Sequence, residues 1–282
     1  MPFDLKDLTH GFLLPAVAAA AVFLLLRTAL PFHAARRLPS PLALVTGFLV
    51  GYWLLELGPV KPKSARDWLP AMVVLATAGT LTPWRSLKVR GAIVLVVAAL
   101  SAWLLVPNWG RLETTERAFV MAWHVMLVPM ILCLEPLEER LTDWAFPAAL
   151  TGVAACAAII LLLCGSLRFC QTAGCGTGAL AGMSLVCFSG RRQTVLSGIV
   201  LPYTILLSGI LLIGRIGSFS EVPWFCYVLP PLAPLALWIA AVRPLSQLTA
   251  AKAAALRIGL PLAVCAAAVV PAVIAWMGTT TE

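Results

Sequence analysis

His124 sits in the apolar run AFVMAWHVMLVP, with six or more uncharged residues on its N-terminal side and more beyond. Imidazole is the one side chain that ordinarily titrates near neutral pH. An ionisable group at that depth in an apolar segment suits proton coupling or substrate ligation. The competing role is a neutral ring that hydrogen-bonds a Ser, Thr or backbone group of a neighbouring helix. Glu56 closes the run GYWLLE, and Tyr52, four residues earlier, shares its helical face. At the rim of a cavity that carboxylate would bind a proton or a cation; at a helix end it would simply pair with Lys61 or Lys63. Thr46, Gln171, Thr172, Thr177 and Ser184 supply the remaining polar groups on small-residue segments. They could coordinate a polar solute or ion, or bond back to their own helices.

Other chemistries lack their residues. The stretch EPLEERLTDW holds Glu135, Glu138, Glu139 and Asp143. A CAAX-type intramembrane protease would need an Arg four residues after its second Glu, but position 143 is Asp. The simplest reading of this stretch is a solvated helix end. The sequence holds no P-loop, HExxH or nucleophile elbow. The eight Cys form no CxxC or Cys-His metal pattern, so neither metal nor cofactor is expected. Cys170 and Cys175 flank a loop and would form a disulfide if that loop faced an oxidising compartment.

Those residues need a scaffold, and composition says which solvent it meets. Of 282 residues 61% are hydrophobic and 11% charged, with a mean hydropathy of +0.96, far from soluble proteins. The chain divides into apolar runs of about 17 to 25 residues, the length that crosses a bilayer. The formal charge of +8 comes from Lys and Arg at the ends of those runs, so it reports topology and not a nucleic-acid partner. Acidic Asp4 and Asp7 argue against a cleaved leader. Ten runs are expected, beginning near Phe12, Pro41, Trp68, Gly91, Ala118, Phe146, Ala173, Thr194, Trp224 and Ile258. Nine remain if the seventh, rich in glycine, is re-entrant. The third is expected to end at Trp84, and the Ala-rich link from Arg243 to Arg257 to lie at the interface. Alternate links carry 12 of the 20 Lys and Arg, which places both termini outside a cytoplasmic (inner) membrane.

Glycines set how the spans would pack. Gly174, Gly178 and Gly182 recur every four residues, and Gly47 and Gly51 repeat the spacing. Such stripes let helix backbones approach closely in lipid. Gly47 lies 35 residues after Phe12, and Gly182 lies 36 after Phe146. Each half opens with Phe, an early Pro and an Ala-rich run. Residues 1–134 and 145–282 would then be two five-helix halves of one membrane domain, joined by the acidic link 135–144 and inverted relative to each other. Ten spans in five-plus-five order resemble the drug/metabolite transporter superfamily, the EamA-like proteins, although members of that group usually keep their termini inside.

The expected fold is thus an all-α integral membrane protein with a 5+5 inverted-topology repeat. The expected role is a secondary transporter of a small solute, with a site near the second, fifth and seventh spans. The alternative is a non-catalytic membrane subunit or scaffold that docks partner helices or a second copy of itself. The two separate on whether a polar cavity is walled by Thr46, His124 and Thr177.

Overall fold

The computed structural model describes residues 5–30, 38–59, 61–81, 86–106, 109–141, 143–189, 196–217, 222–242 and 249–279. Among them every regular element is helical. In chain order these are α1 (Leu5–Ala29), α2 (Pro39–Leu54), α3 (Leu69–Leu81), α4 (Leu87–Leu105), α5 (Thr114–Arg140), α6 (Ala145–Leu163), α7 (Leu167–Ser189), α8 (Val200–Gly217), α9 (Phe225–Ala241) and α10 (Ala250–Thr279). Seven helices, α1, α4 to α8 and α10, are long and apolar enough to cross a membrane. They give the chain the build of a multi-pass membrane protein. Helices α2 and α9 are shorter apolar helices, and α3 has 13 residues. Trp84, the expected end of the third run, lies outside the described residues.

Side chains that would be a liability in water cover the outside. Trp103, Val125, Leu185 and Ile274 are each at least 60% exposed, as lipid-facing residues should be. The inside is organised around α8, whose residues are buried from Val200 through Gly214. Its Tyr203, Ile205, Leu211 and Leu212 are almost fully enclosed.

The glycine stripes lie where three helices meet. A β-carbon on Gly178 or Gly182 would collide with the backbone carbonyl oxygens of Phe12 and Ala16 on α1. One on Gly47 would lie 2.7 Å from Ala179 Cβ and 2.7 Å from the Pro15 carbonyl oxygen. At Gly51 it would lie 2.6 Å from Cys175 Sγ. Hydrogen at these positions lets α1, α2 and α7 close on one another at backbone distance. Gly174 is looser, 3.5 Å from the Gly11 carbonyl oxygen.

Helix pairing shows partial internal correspondence. The packing of α1 on α2 recurs as α6 on α7, that of α3 on α4 as α8 on α9, and that of α4 on α5 as α9 on α10. Helices α2 and α7 touch each other, as do α3 and α8. The correspondence breaks at α1, which packs extensively on α7 with no comparable α6 to α2 contact, and at α10, which packs on α6.

Helix α7 runs continuously through its 23 residues, long and apolar enough to cross a membrane, and neighbours supply the packing that its glycines forfeit in propensity. Two other sequence expectations change. The acidic residues 135–140 are helical, because α5 continues through them to Arg140. Ala250 to Arg257 open α10 rather than lying in a connecting segment, and Arg257 pairs with Asp143.

Candidate functional site

Glu135, Glu138 and Glu139 occupy the last turns of α5, at spacings of three and four that bring them to one side of the helix. Ser86 begins α4 by accepting from the Val89 amide at 3.3 Å, an N-cap. That start delivers Arg90, four residues on, into the bundle, where its side chain is 1% exposed. Arg90 donates from Nε to Glu135 Oε1 at 2.8 Å, with Nη2 directed at the same oxygen, and from Nη1 to the Gly79 carbonyl of α3 at 3.0 Å. One guanidinium thereby joins α3, α4 and α5, with a charge-assisted contact at its centre.

Glu138 makes a different junction. It is 4% exposed, and its two oxygens accept from the amides of Gly198 and Val200, each at 2.5 Å. Val200 is the first residue of α8. The carboxylate therefore satisfies orphan amide donors at the positive end of that helix. Gly198 has φ +83°, a conformation open to glycine at no steric cost, and this turn aims both amides at one side chain.

Between these junctions lies a cavity of about 210 Å³, lined by Thr80, Leu87, Arg90, Leu132, Glu135, Pro136, Glu138, Glu139, Ser197 and Gly198. At ~30 Å³ per water it is roomy enough for about seven waters or a small solute. Pro136 has no amide to offer the Leu132 carbonyl one turn back, which leaves an acceptor at the wall. With three carboxylates against one guanidinium, the lining favours a cation or a proton.

A second cavity, of about 260 Å³, lies at the other end of α8. Thr115, Glu116, Phe119, Val120, Arg215, Ile216 and Trp224 line it. Between the two, the void beside Tyr203, Leu206, Leu207 and Ile210 measures about 10 Å³, at the limit for one water. The described residues leave little room beside this part of α8.

The residues singled out from the sequence are scattered. His124 is buried and its Nδ1 lies 2.8 Å from the Val120 carbonyl of its own helix. Thr177 bonds the Ala173 carbonyl at 2.9 Å, also within its helix. Thr46 is half-buried on α2. None of the cavities described is lined by Thr46, His124 or Thr177, so the expected midplane chamber is not formed by them. Gln171 donates to Asp7 at 2.9 Å and shares a hollow of about 130 Å³ with Lys6, Asp7 and exposed Glu56. Glu56 has φ +51°, a turn conformation just past α2 that carries it away from the bundle interior. Tyr52 stays inside, its ring 5.7 Å from that of Phe48. Its hydroxyl reaches the Gly58 turn beside Asp67, while Arg168 donates to the Leu57 carbonyl at 3.0 Å. Cys170 and Cys175 are free thiols. Both ride on α7, five residues apart, which points them to different sides of the helix, and Cys175 faces Gly51.

Asp67 anchors that turn. Burial opposes its charge, but amides of Lys63 and Ser64, the Ser64 hydroxyl and nearby Arg66 outweigh burial and hold its carboxyl below the usual range.

No protein-family model, curated protein or solved structure matches the chain. The geometry itself therefore carries the functional argument. Read from the sequence, Arg90 is one of the charges at span ends and Glu135 and Glu138 belong to a solvated helix end; the structure buries Arg90 and Glu138. The available signal was apolar Leu134 and Leu137 interleaved with the acids, a pattern that continues a buried helix face through position 138.

Proposed function

We propose that this chain is a ten-pass secondary transporter of a small polar solute, working by alternating access between the two chambers at the ends of α8. One observation carries the reading: cavities of about 210 and 260 Å³, each with charged side chains in a largely apolar wall, sit at opposite ends of one buried helix, with a void of only about 10 Å³ beside its middle. The 18 residues of α8 at ~1.5 Å rise span about 27 Å, close to the ~30 Å hydrocarbon thickness. Each chamber would open to one aqueous phase. The recurring helix pairings support an inverted five-plus-five arrangement, whose halves rock about a central axis. The excess of Lys and Arg on the side of Arg90 supports a first chamber at the cytoplasmic face, with both termini outside.

Glu138 has the coupling role. While ionised it holds the amino end of α8. A proton or a cationic solute entering the chamber competes with those two amides, releases that end, and lets α8 yield toward the other chamber. Rocking is thereby tied to occupancy, as a bistable element requires.

None of the cavities described is walled by Thr46, His124 and Thr177, which favours a membrane scaffold, and the α1, α2 and α7 junction would serve one; the two cavities at the ends of α8 favour transport. Thiol labelling from each face of the membrane separates the two. With Ser197→Cys and Thr115→Cys, a transporter shows labelling from opposite faces, with rates that change reciprocally as pH is lowered. A scaffold shows rates that stay fixed.

A further inference from the structure

The cavity at the carboxyl end of α8 holds two opposite charges that do not meet. Arg215, in the last turn of α8, is half-buried at the chamber wall. Among the described residues it makes no hydrogen bond or ion pair. Glu116, in the first turn of α5, gives one oxygen to the Glu113 amide at 3.4 Å and keeps the other free for a ligand. Two opposite charges that line one cavity unbridged invite a ligand that carries both signs.

The rest of the wall fits the same demand. Phe119 and Trp224 stand edge to face, with ring centroids 6.4 Å apart and planes at 74°, and Trp224 is 57% exposed. That corner offers aromatic surface to an ammonium group, on the side where Glu116 supplies charge. Guanidinium is the strongest side-chain match for a phosphate, and Thr115 adds a hydroxyl. Arg215 and Glu116 both sit at ends of span-length helices, where a crossing helix meets lipid headgroups.

We propose that this chamber binds a zwitterionic phosphate ester of the phosphoethanolamine or phosphocholine type, with phosphate at Arg215 and Thr115 and ammonium at Glu116, Phe119 and Trp224. This inference stands apart from the transport reading, since a scaffold could carry the same site. The ligand is either a membrane phospholipid or a soluble ester with the same headgroup.

The test is native mass spectrometry of the purified full chain after incubation with equal amounts of phosphatidylethanolamine, phosphatidylcholine and phosphatidylglycerol. Parallel samples receive soluble phosphocholine and inorganic phosphate. Retention of the two zwitterionic lipids over phosphatidylglycerol is expected. Arg215→Gln should reduce it about tenfold or more, as loss of a charge-assisted bond would, while Arg215→Lys should restore part of it. Glu116→Gln should erase the discrimination against phosphatidylglycerol. Unchanged melting temperatures would show that the variants fold. Displacement of lipid by phosphocholine but not by phosphate would assign recognition to the headgroup alone; binding of lipid only would assign part of it to the acyl chains. Equal retention of all three lipids by the wild type, or retention unaffected in Arg215→Gln, would overturn the proposal.

Discussion

Glu138 on α5 holds the amide of Val200, the first residue of α8, at 2.5 Å, so the most buried helix of the bundle is tethered at one end by a carboxylate. The tether stabilises the helix by satisfying amides that no turn of α8 can reach. It also exposes the helix to whatever enters the cavity beside it.

Removing the tether should separate structure from chemistry. Glu138→Ala leaves the buried Val200 amide and the part-buried Gly198 amide without their acceptor, a loss of about 1 to 3 kcal/mol for a buried unsatisfied group. The melting temperature in detergent should fall. Glu138→Gln keeps a carbonyl acceptor and should melt closer to the wild type. If both variants melt like the wild type, the tether has no structural role.

The Arg90 and Glu135 pair should behave as a unit. Losing either partner strands a charge in a buried setting, at a loss of about 3 to 5 kcal/mol. Arg90→Met and Glu135→Met should each destabilise strongly, and the double substitution should recover much of the loss. Thermal melting of the three variants measures the coupling. Additive losses would contradict the burial described for this pair.

The glycine stripe should be graded by distance. Gly182→Ala drives a methyl group into the Ala16 carbonyl and should lower stability by about 1 to 3 kcal/mol, as overpacking does. At Gly174 the nearest atom is 3.5 Å away, and Ala is the better helix former by about 1 kcal/mol. Gly174→Ala should therefore be neutral or stabilising. Equal effects at the two positions would refute the close approach of α1 to α7.

Asp67 should contribute an acid limb to stability. Its carboxyl is held below the usual range in the folded chain, so the unfolded chain binds the proton first. The stabilisation is fully present above the ordinary carboxylate pKa of about 3.9 and is lost as pH falls through the lower folded value. Asp67→Asn should be less stable than the wild type at pH 7, and the gap should narrow below about pH 4. Melting curves across that range check the sign.

How much of this was written plainly in the sequence depends on the residue. Apolar runs and the positions of Gly47, Gly51, Gly178 and Gly182 announce membrane helices and their closest contacts, because in lipid only small residues permit such approach. The cavity was hidden, since a charge at the end of an apolar run looks the same whether it meets water or another helix. Arg90 and Glu135 are 45 residues apart, and only the fold makes one neutralise the other. For His124 the sequence shows only apolar neighbours, and the structure adds the Val120 carbonyl of its own helix beside the ring.

The most direct measurement of the central claim is solute uptake by liposomes containing the purified chain, presented with a mixture of small amines and other metabolites at several values of pH. Saturable uptake of at least one solute is expected, with a pH dependence that Glu138→Gln flattens while the protein remains folded. Uptake equal to that of empty liposomes for every solute, or a pH profile that Glu138→Gln leaves intact, would contradict alternating access about α8.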